Sequence, residues 1–371
     1  MSKIFQKYHW AMALSVDGIG RQTVLKIEKY LNKNRISWSE FWVAENQDLW
    51  QRLLNKNIVE KLKIFINEHN IYSFKKILKK EHISVVSYED AAYPQALKQL
   101  ADFPLVLFVK GSLKLNPQLS VAVIGTRQMT AYGRFVTRKI TTELVNLGAT
   151  IVSGFMYGVD VTAQEQAVKR RGQTIGVLGY GFNHVYPRSH QEIMQDMLQT
   201  GRASFISEYP PDTQASRGTF PARNRLIAAL SRAVLVTEAA EKSGTQITVR
   251  CALDYGKEIF AVPGPISSQY SEGLKMMHNQ GATMVSSGQE ILQHLSYGVQ
   301  QQQLRQPEKK LQLNLSRDEA WVYQQLVNQP LSVDQLFALS RNYTLPQICQ
   351  LLSALECKAL IEMQAGQWFI T

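Results

Sequence analysis

The sequence predicts an α/β protein with a doubly wound, mainly parallel sheet at its centre and helical segments at both ends. The apolar period changes from helical to strand-like near residue 81 and becomes helical again beyond residue 310. Between those points short β-branched runs alternate with helix-length stretches, the signature of βαβ units. Glycine-rich turns recur directly after those runs, where sheets of this class carry their ligand sites.

Size and composition set the bounds. A chain of 371 residues accommodates two or three domains. With 45% hydrophobic and 19% charged residues it can bury a large core, and wholesale disorder is excluded. No apolar run reaches the length of about 18 residues that a membrane span needs. The N-terminus, MSKIFQKYHWAMALSVDG, is too polar for a signal-peptide core, so the cytoplasm is the expected compartment and no membrane partner is expected. Cys251, Cys349 and Cys357 are too few for a disulfide framework. The seven histidines have no HExxH or CxxC company, and no metal or cofactor is expected. The formal charge of +11 is unevenly spread: net +8 over residues 1–80, +3 over 81–298 and zero over 299–371. Such a balance without a membrane signal suggests a polyanionic partner, and the neutral C-terminal piece is a poor candidate for holding a phosphate backbone.

Residues 1–80 read as a helical domain, SAM- or helix–hairpin–helix-like. Leu14, Ile19, Val24, Leu25 and Ile27 fit two short helices broken at Asp17-Gly18-Ile19-Gly20, with further periodic stretches over 39–54 and 57–79. The Gly-Ile-Gly turn before Arg21 and Thr23 is either a phosphate-binding turn or a tight turn between packed helices.

Residues 81–297 read as one doubly wound domain. Strands are expected at Val121–Ile124, Thr150–Val152, Thr174–Leu178, Phe205–Ser207, Ala233–Val236, Glu258–Val262 and Thr283–Val285, with helices such as Arg134–Leu147 and Gln164–Arg171 between them. The lead-in to residue 118 holds one further candidate strand, Leu105–Val109.

Residues 298–310, polar and glutamine-rich, read as a flexible linker. Beyond it, over 311–371, come helical patterns at Ser316–Val327, Ser332–Leu339 and Thr344–Ile361. The last two open with capping boxes, Ser332 with Gln335 and Thr344 with Gln347. A tail around Gly366 suits a hairpin, and three helices followed by a hairpin suggest a winged helix.

The chemistry gathers in the central block. Gly125-Thr126-Arg127 follows the first main strand: glycine for close approach, a hydroxyl, and a guanidinium suited to phosphate. The next glycine lies eight positions on, so the dinucleotide fingerprint GxGxxG is not met. Further small-residue turns follow at Ser153-Gly154, Gly179-Tyr180-Gly181 and Ser243-Gly244-Thr245. The densest signal is Arg217-Gly-Thr-Phe220-Pro-Ala-Arg223-Asn224-Arg225. Arginine neutralises phosphate and an aromatic face stacks on an unpaired base, which favours single-stranded nucleic acid. The alternative is a surface loop with its arginines paired to carboxylates and Phe220 in the core. No Walker A motif and no GxSxG elbow occur, and no catalytic residue is assigned. Asp160, Glu208 and Glu238, near strand ends, either serve chemistry, or cap helices, or pair with Arg223 and Arg225.

The ordered set VAVIGTR…YGR, VSGFMYGVD, GVLGYGFNHVYP, SEYPP, FPARNRLIAALS, VTEAAEKSGTQIT and FAVPG, over roughly residues 120–265, closely resembles the DNA-processing protein A family (DprA, also called Smf). That resemblance implies an extended Rossmann-like core, a helical N-terminal domain and a C-terminal winged helix. It also implies a non-enzymatic mediator that binds single-stranded DNA, forms a homodimer and helps load the RecA recombinase during natural transformation. Carried over by motif, Gly125, Thr126 and Arg127 would contact the DNA backbone, as would Gly154. Arg217 stands where the family often has lysine, three before the stacking Phe220, and Arg223 and Asn224 would shape the same pocket. The family's GLARGID is here Gly154-Phe-Met-Tyr157-Gly-Val-Asp160, so Tyr157 replaces an arginine; the late Gly-(Cys/Thr)-Asn is Gly273-Leu274-Lys275. The competing reading is a lysine-decarboxylase-like phosphoribohydrolase. That family needs a PGGxGT loop, where this chain has Glu241-Lys242-Ser243-Gly244-Thr245.

Overall fold

The computed structural model describes residues 3–112, 115–241, 243–295, 315–340, 342–358, 360–364 and 366–370. The expected linker at 298–310 lies outside them.

Six helices come first: α1 (Lys3–Ser15), α2 (Arg21–Asn34), α3 (Trp38–Phe41), α4 (Gln47–Leu53), α5 (Lys56–Glu68) and α6 (Ile71–Lys80). The break between α1 and α2 falls at the expected glycines: Gly18 takes φ +91°, and Gly20 is the N-cap of α2. The periodic stretch over 57–79 divides because Asn70 caps a new helix. Its side chain accepts from the Tyr72 and Ser73 N–H groups, satisfying donors that would otherwise lack partners. These helices bury Trp10, Phe41, Trp50 and Phe74 in one cluster with Phe108 and Phe205 of the sheet.

The sheet has nine strands: β1 (Ser84–Ser87), β2 (Val106–Gly111), β3 (Ser120–Ile124), β4 (Thr150–Ser153), β5 (Gln173–Leu178), β6 (Ala203–Ser207), β7 (Ala233–Val236), β8 (Glu258–Ala261) and β9 (Thr283–Met284). Helices α7 (Ala131–Asn146), α8 (Val159–Lys169), α9 (His190–Gln199), α10 (Thr219–Leu230), α11 (Thr245–Asp254), α12 (Ser271–Asn279) and α13 (Gly288–His294) alternate with them. Strand order is β1-β2-β6-β5-β4-β3-β7-β8-β9. From β6 to β9 all neighbours are parallel. The order reverses at β3, with β4 on one flank and β7 on the other, which opens a crevice beyond the C-terminal strand ends. Two apolar clusters cover the two faces of the sheet: Val152, Ile175 and Leu226 belong to one, Val121, Val123 and Ile140 to the other. The sheet departs from all-parallel at one edge, where β2 runs antiparallel to both β1 and β6. Ser-Val-Val-Ser of β1 is too short to show alternation, so nothing in the sequence marked it as a strand.

Three helices and a hairpin close the chain: α14 (Arg317–Asn328), α15 (Val333–Leu339), α16 (Leu345–Cys357), β10 (Ile361–Gln364) and β11 (Gln367–Ile370). Both expected capping boxes form, and Ser316 makes a third with Glu319. This is the element order on which the winged-helix expectation rests. The hairpin touches the sheet domain through an Arg138–Glu362 ion pair and through Phe135 and Phe369, whose ring centroids lie 6.3 Å apart. Among the described residues no helix is long and apolar enough to cross a membrane.

Candidate nucleic-acid interface

A cleft of about 920 Å³ lies beyond the ends of β3 and β7. Its walls come from three segments far apart in sequence: the loop after β3, the start of α10 and the start of α11.

The first wall is Gly125-Thr126-Arg127-Gln128. Gly125 has no room for a side chain, since a Cβ would fall 2.6 Å from both the Glu238 carbonyl and Val159 Cγ2. The Thr126 N–H donates to the Glu238 carbonyl at 2.8 Å, and its hydroxyl accepts from the Gln128 N–H at 3.1 Å. The loop ends where Glu238, 3% exposed, accepts from the Thr130 N–H at 2.9 Å and from the Thr130 hydroxyl at 2.5 Å. That carboxylate fills the space over Gly133, where a Cβ would lie 2.0 Å from it. Glu238 thus ties both ends of the loop to β7. Arg127, exposed, projects from this fixed turn, and its guanidinium lies over the Phe220 ring, 5.5 Å from the centroid.

The second wall is the arginine-rich segment, which the fold sorts by depth. Arg217 and Pro221 are exposed, while Phe220 and Asn224 are half-buried. Arg223 is 3% exposed and directed inward. One of its nitrogens donates to the Gly154 carbonyl at 2.6 Å and also to the Val177 carbonyl, and Nε donates to the Asn224 side-chain oxygen at 3.2 Å. Arg225 pairs with Glu208 at 2.7 Å and with Asp102 at 2.9 Å. Helical spacing accounts for the sorting: positions two apart on α10 cannot face the same way.

Of the eight candidate residues, Gly125, Thr126, Arg127, Arg217, Phe220, Arg223 and Asn224 line this one cleft. Gly154 does not. It is buried beneath the cleft, where a Cβ would meet Asp160 Oδ2 at 2.6 Å and the Arg223 guanidinium at 2.7 Å. Burial pushes the Asp160 carboxyl up and the Arg223 guanidinium down, and the charge of each opposes the shift of the other. The Phe220 ring packs against the core cluster and also borders the cleft.

Tyr186 and Tyr270 line the cleft as well. Tyr186, 43% exposed, lines the cleft with its ring centroid 5.6 Å from that of Phe220. It sits more than thirty residues away from Phe220 in sequence, so no local spacing could pair them. Tyr157, standing where an arginine was expected, is bonded to the Ser189 hydroxyl at 2.9 Å and set edge-on to His190. The loop at Ser243-Gly244-Thr245 supplies the third wall.

The model of the DNA recombination-mediator protein A family matches residues 84–296, more than half of the chain. Protein Smf of Escherichia coli is 41% identical over 207 residues, covering 56% of this chain and 55% of its own length, so the match spans about half of that relative. DNA processing protein DprA of Bacillus subtilis is 37% identical over 218 residues, 58% of this chain and 73% of the relative. Among solved structures, DprA of Streptococcus pneumoniae superposes with a TM-score of 0.64 at 31% identity, covering 77% of this chain and 97% of that one. DNA processing protein A of Helicobacter pylori, solved for its single-stranded DNA binding mode, gives a TM-score of 0.52 at 32% identity over 58% of this chain and 95% of that one. With the family model covering the whole sheet and the cleft at its switch point, the chain belongs to the DNA recombination-mediator protein A family.

Proposed function

We propose that the cleft binds single-stranded DNA, and that the protein is a cytoplasmic, non-enzymatic mediator that protects incoming strands and helps load RecA recombinase during natural transformation, working as a homodimer. One observation supports the binding step above others: two exposed arginines, Arg127 and Arg217, flank an aromatic pair, Phe220 and Tyr186, in one cleft. Cations at the rim suit phosphates. Rings within suit unstacked bases, which a duplex does not present.

In this reading the eight residues divide their work. Arg127, Arg217 and the backbone of Gly125 and Thr126 meet phosphates, Phe220 meets a base, and Asn224 borders it. Arg223 at the floor of the cleft and Gly154 beneath it keep the α10 start and the β4 turn in register. The test is a gel shift with single-stranded and duplex oligonucleotides at stated salt. Equal affinity for both forms, or release of free base from a nucleoside monophosphate, would overturn the proposal.

A further inference from the structure

Most of the chain's positive charge is not at the cleft. Residues 1–80 hold net +8 of the total +11. Within that segment several lysines are engaged locally: Lys7 with Asp90, Lys61 with Asp17 and Lys63 with Glu60. Helix α6, Ile-Tyr-Ser-Phe-Lys-Lys-Ile-Leu-Lys-Lys, is different, because it contains no acidic residue. Its Phe74 and Leu78 are buried. At 100° per residue, Tyr72, Lys76, Lys79 and Lys80 share the opposite face. All four are exposed, Tyr72 by 74%, and among the described residues none of the three lysines has a carboxylate within ion-pair distance. Lysines in a last turn favour the helix dipole, which accounts for Lys79 and Lys80. It does not account for Lys76, nor for a tyrosine left in water one turn before it.

The position of this helix matters as much as its charge. A second cleft, about 1040 Å³, is lined by Phe74, Ile77 and Leu78 of α6 and, across from them, by Pro211, Thr213 and Ala222. The same 213–222 segment borders the first cleft on its other side, through Ala215, Arg217 and Pro221. Pro221 and Ala222 are exposed, so a strand leaving the first cleft over them meets α6 on its Ile77 side, where Lys80 is the neighbour three residues on and Lys76 the neighbour of Lys80 four back, at the margin of the lysine face.

We infer that the Tyr72–Lys76–Lys79–Lys80 face is a second single-stranded DNA contact, engaged by the length of strand that runs on from the cleft. This rests on the proposed function. The lysines meet phosphates without regard to sequence, and the Tyr72 ring offers a base a stacking surface.

The test uses the full chain and two oligonucleotides, of about 6 and about 30 nucleotides, chosen to lie within and well beyond the usual single-strand site size. Lys76→Gln/Lys79→Gln/Lys80→Gln is expected to bind the short strand within about twofold of wild type. For the long strand its slope of log K against log salt should fall by about 2, from roughly 0.7 per lost phosphate contact. Tyr72→Ala is expected to weaken long-strand binding about fivefold or more with the slope kept. Arg127→Ala, assayed beside them, checks the cleft separately and should weaken both lengths. An unchanged long-strand affinity and slope in the triple variant overturns the second contact and leaves the cleft standing. So does a triple variant that loses both lengths equally. If that variant keeps its long-strand binding but loses binding to vesicles of an anionic phospholipid, the face belongs to a membrane and the inference also fails.

Discussion

Arg127 and Phe220 form one unit, since the guanidinium lies over the ring. Their contributions separate through salt. Arg127→Ala should weaken single-strand binding and lower the salt slope by about 0.7. Phe220→Ala should cost roughly 1–3 kcal/mol per stacked base, about 5- to 150-fold in affinity, with little change of slope. Because Phe220 also packs on the core, that variant should melt lower as well, and Phe220→Tyr should be nearly neutral in both respects. Affinities and melting temperatures measured together check this; a stable Phe220→Ala protein with full affinity would exclude stacking. Glu238 gives a sharper test, because two effects have opposite signs. Removing a carboxylate near a phosphate site should strengthen DNA binding by charge alone. Glu238→Ala also frees the Thr130 end of the loop, and the expected outcome is weaker binding, by roughly fivefold or about 1 kcal/mol. Glu238→Gln makes the same charge change while keeping an acceptor for the Thr130 N–H, so it should bind at least as well as wild type. If both variants bind more tightly, the loop does not depend on Glu238. Arg127, Arg217 and Phe220, which the cleft brings together, stood out in the sequence because their residue types and spacing suit an anion and a ring. Tyr186 did not, because only the fold brings it to Phe220. The inward turn of Arg223 was hidden for the same reason, since composition does not say which side of α10 faces the sheet.

Element by element, the sequence was most readable where a helix or strand carries its own signals. The seven strands β3 to β9 formed where β-branched runs lay, and the capping boxes at Ser332 and Thr344 start α15 and α16. Thr344–Ile361 overshot because α16 stops at Cys357, with Ile361 beginning β10 instead. Apolar residues continue across that junction, so periodicity alone could not find it. Helix α1 carries a further consequence of burial. His9, 2% exposed, stacks on Trp38 at 6.2 Å, and desolvation lowers its pKa from 6.5 to about 4. Between those values the unfolded chain binds the proton and the folded one does not, so stability rises with pH across that window. The contribution is complete above about pH 6.5 and fades as pH falls toward 4, with a ceiling of about 3 kcal/mol. Denaturant unfolding at several pH values, followed by tryptophan fluorescence, should show this slope, and His9→Phe should flatten it. A slope unchanged in that variant would assign the acid sensitivity to other groups.

For the molecule as a whole, none of the described residues of the C-terminal segment lines the cleft. That segment meets the sheet domain at α7 through Arg138–Glu362 and Phe135–Phe369, and it adds no net charge. Truncation near Gly298 should therefore leave short-strand affinity within a few-fold, measured on a protein shown to melt cooperatively; a large loss in a well-folded truncation would give this segment a direct part in binding. The two ends of the sheet bear on a different question, which is how the protein behaves when crowded. One rim is β9, only two residues long, and the other is β1, with four. An open rim templates a foreign strand in proportion to the main-chain donors and acceptors that it presents, and short rims are a common natural defence. Rims of four and two residues present few of them. The nine-stranded sheet should thus resist edge-to-edge growth when the protein is concentrated.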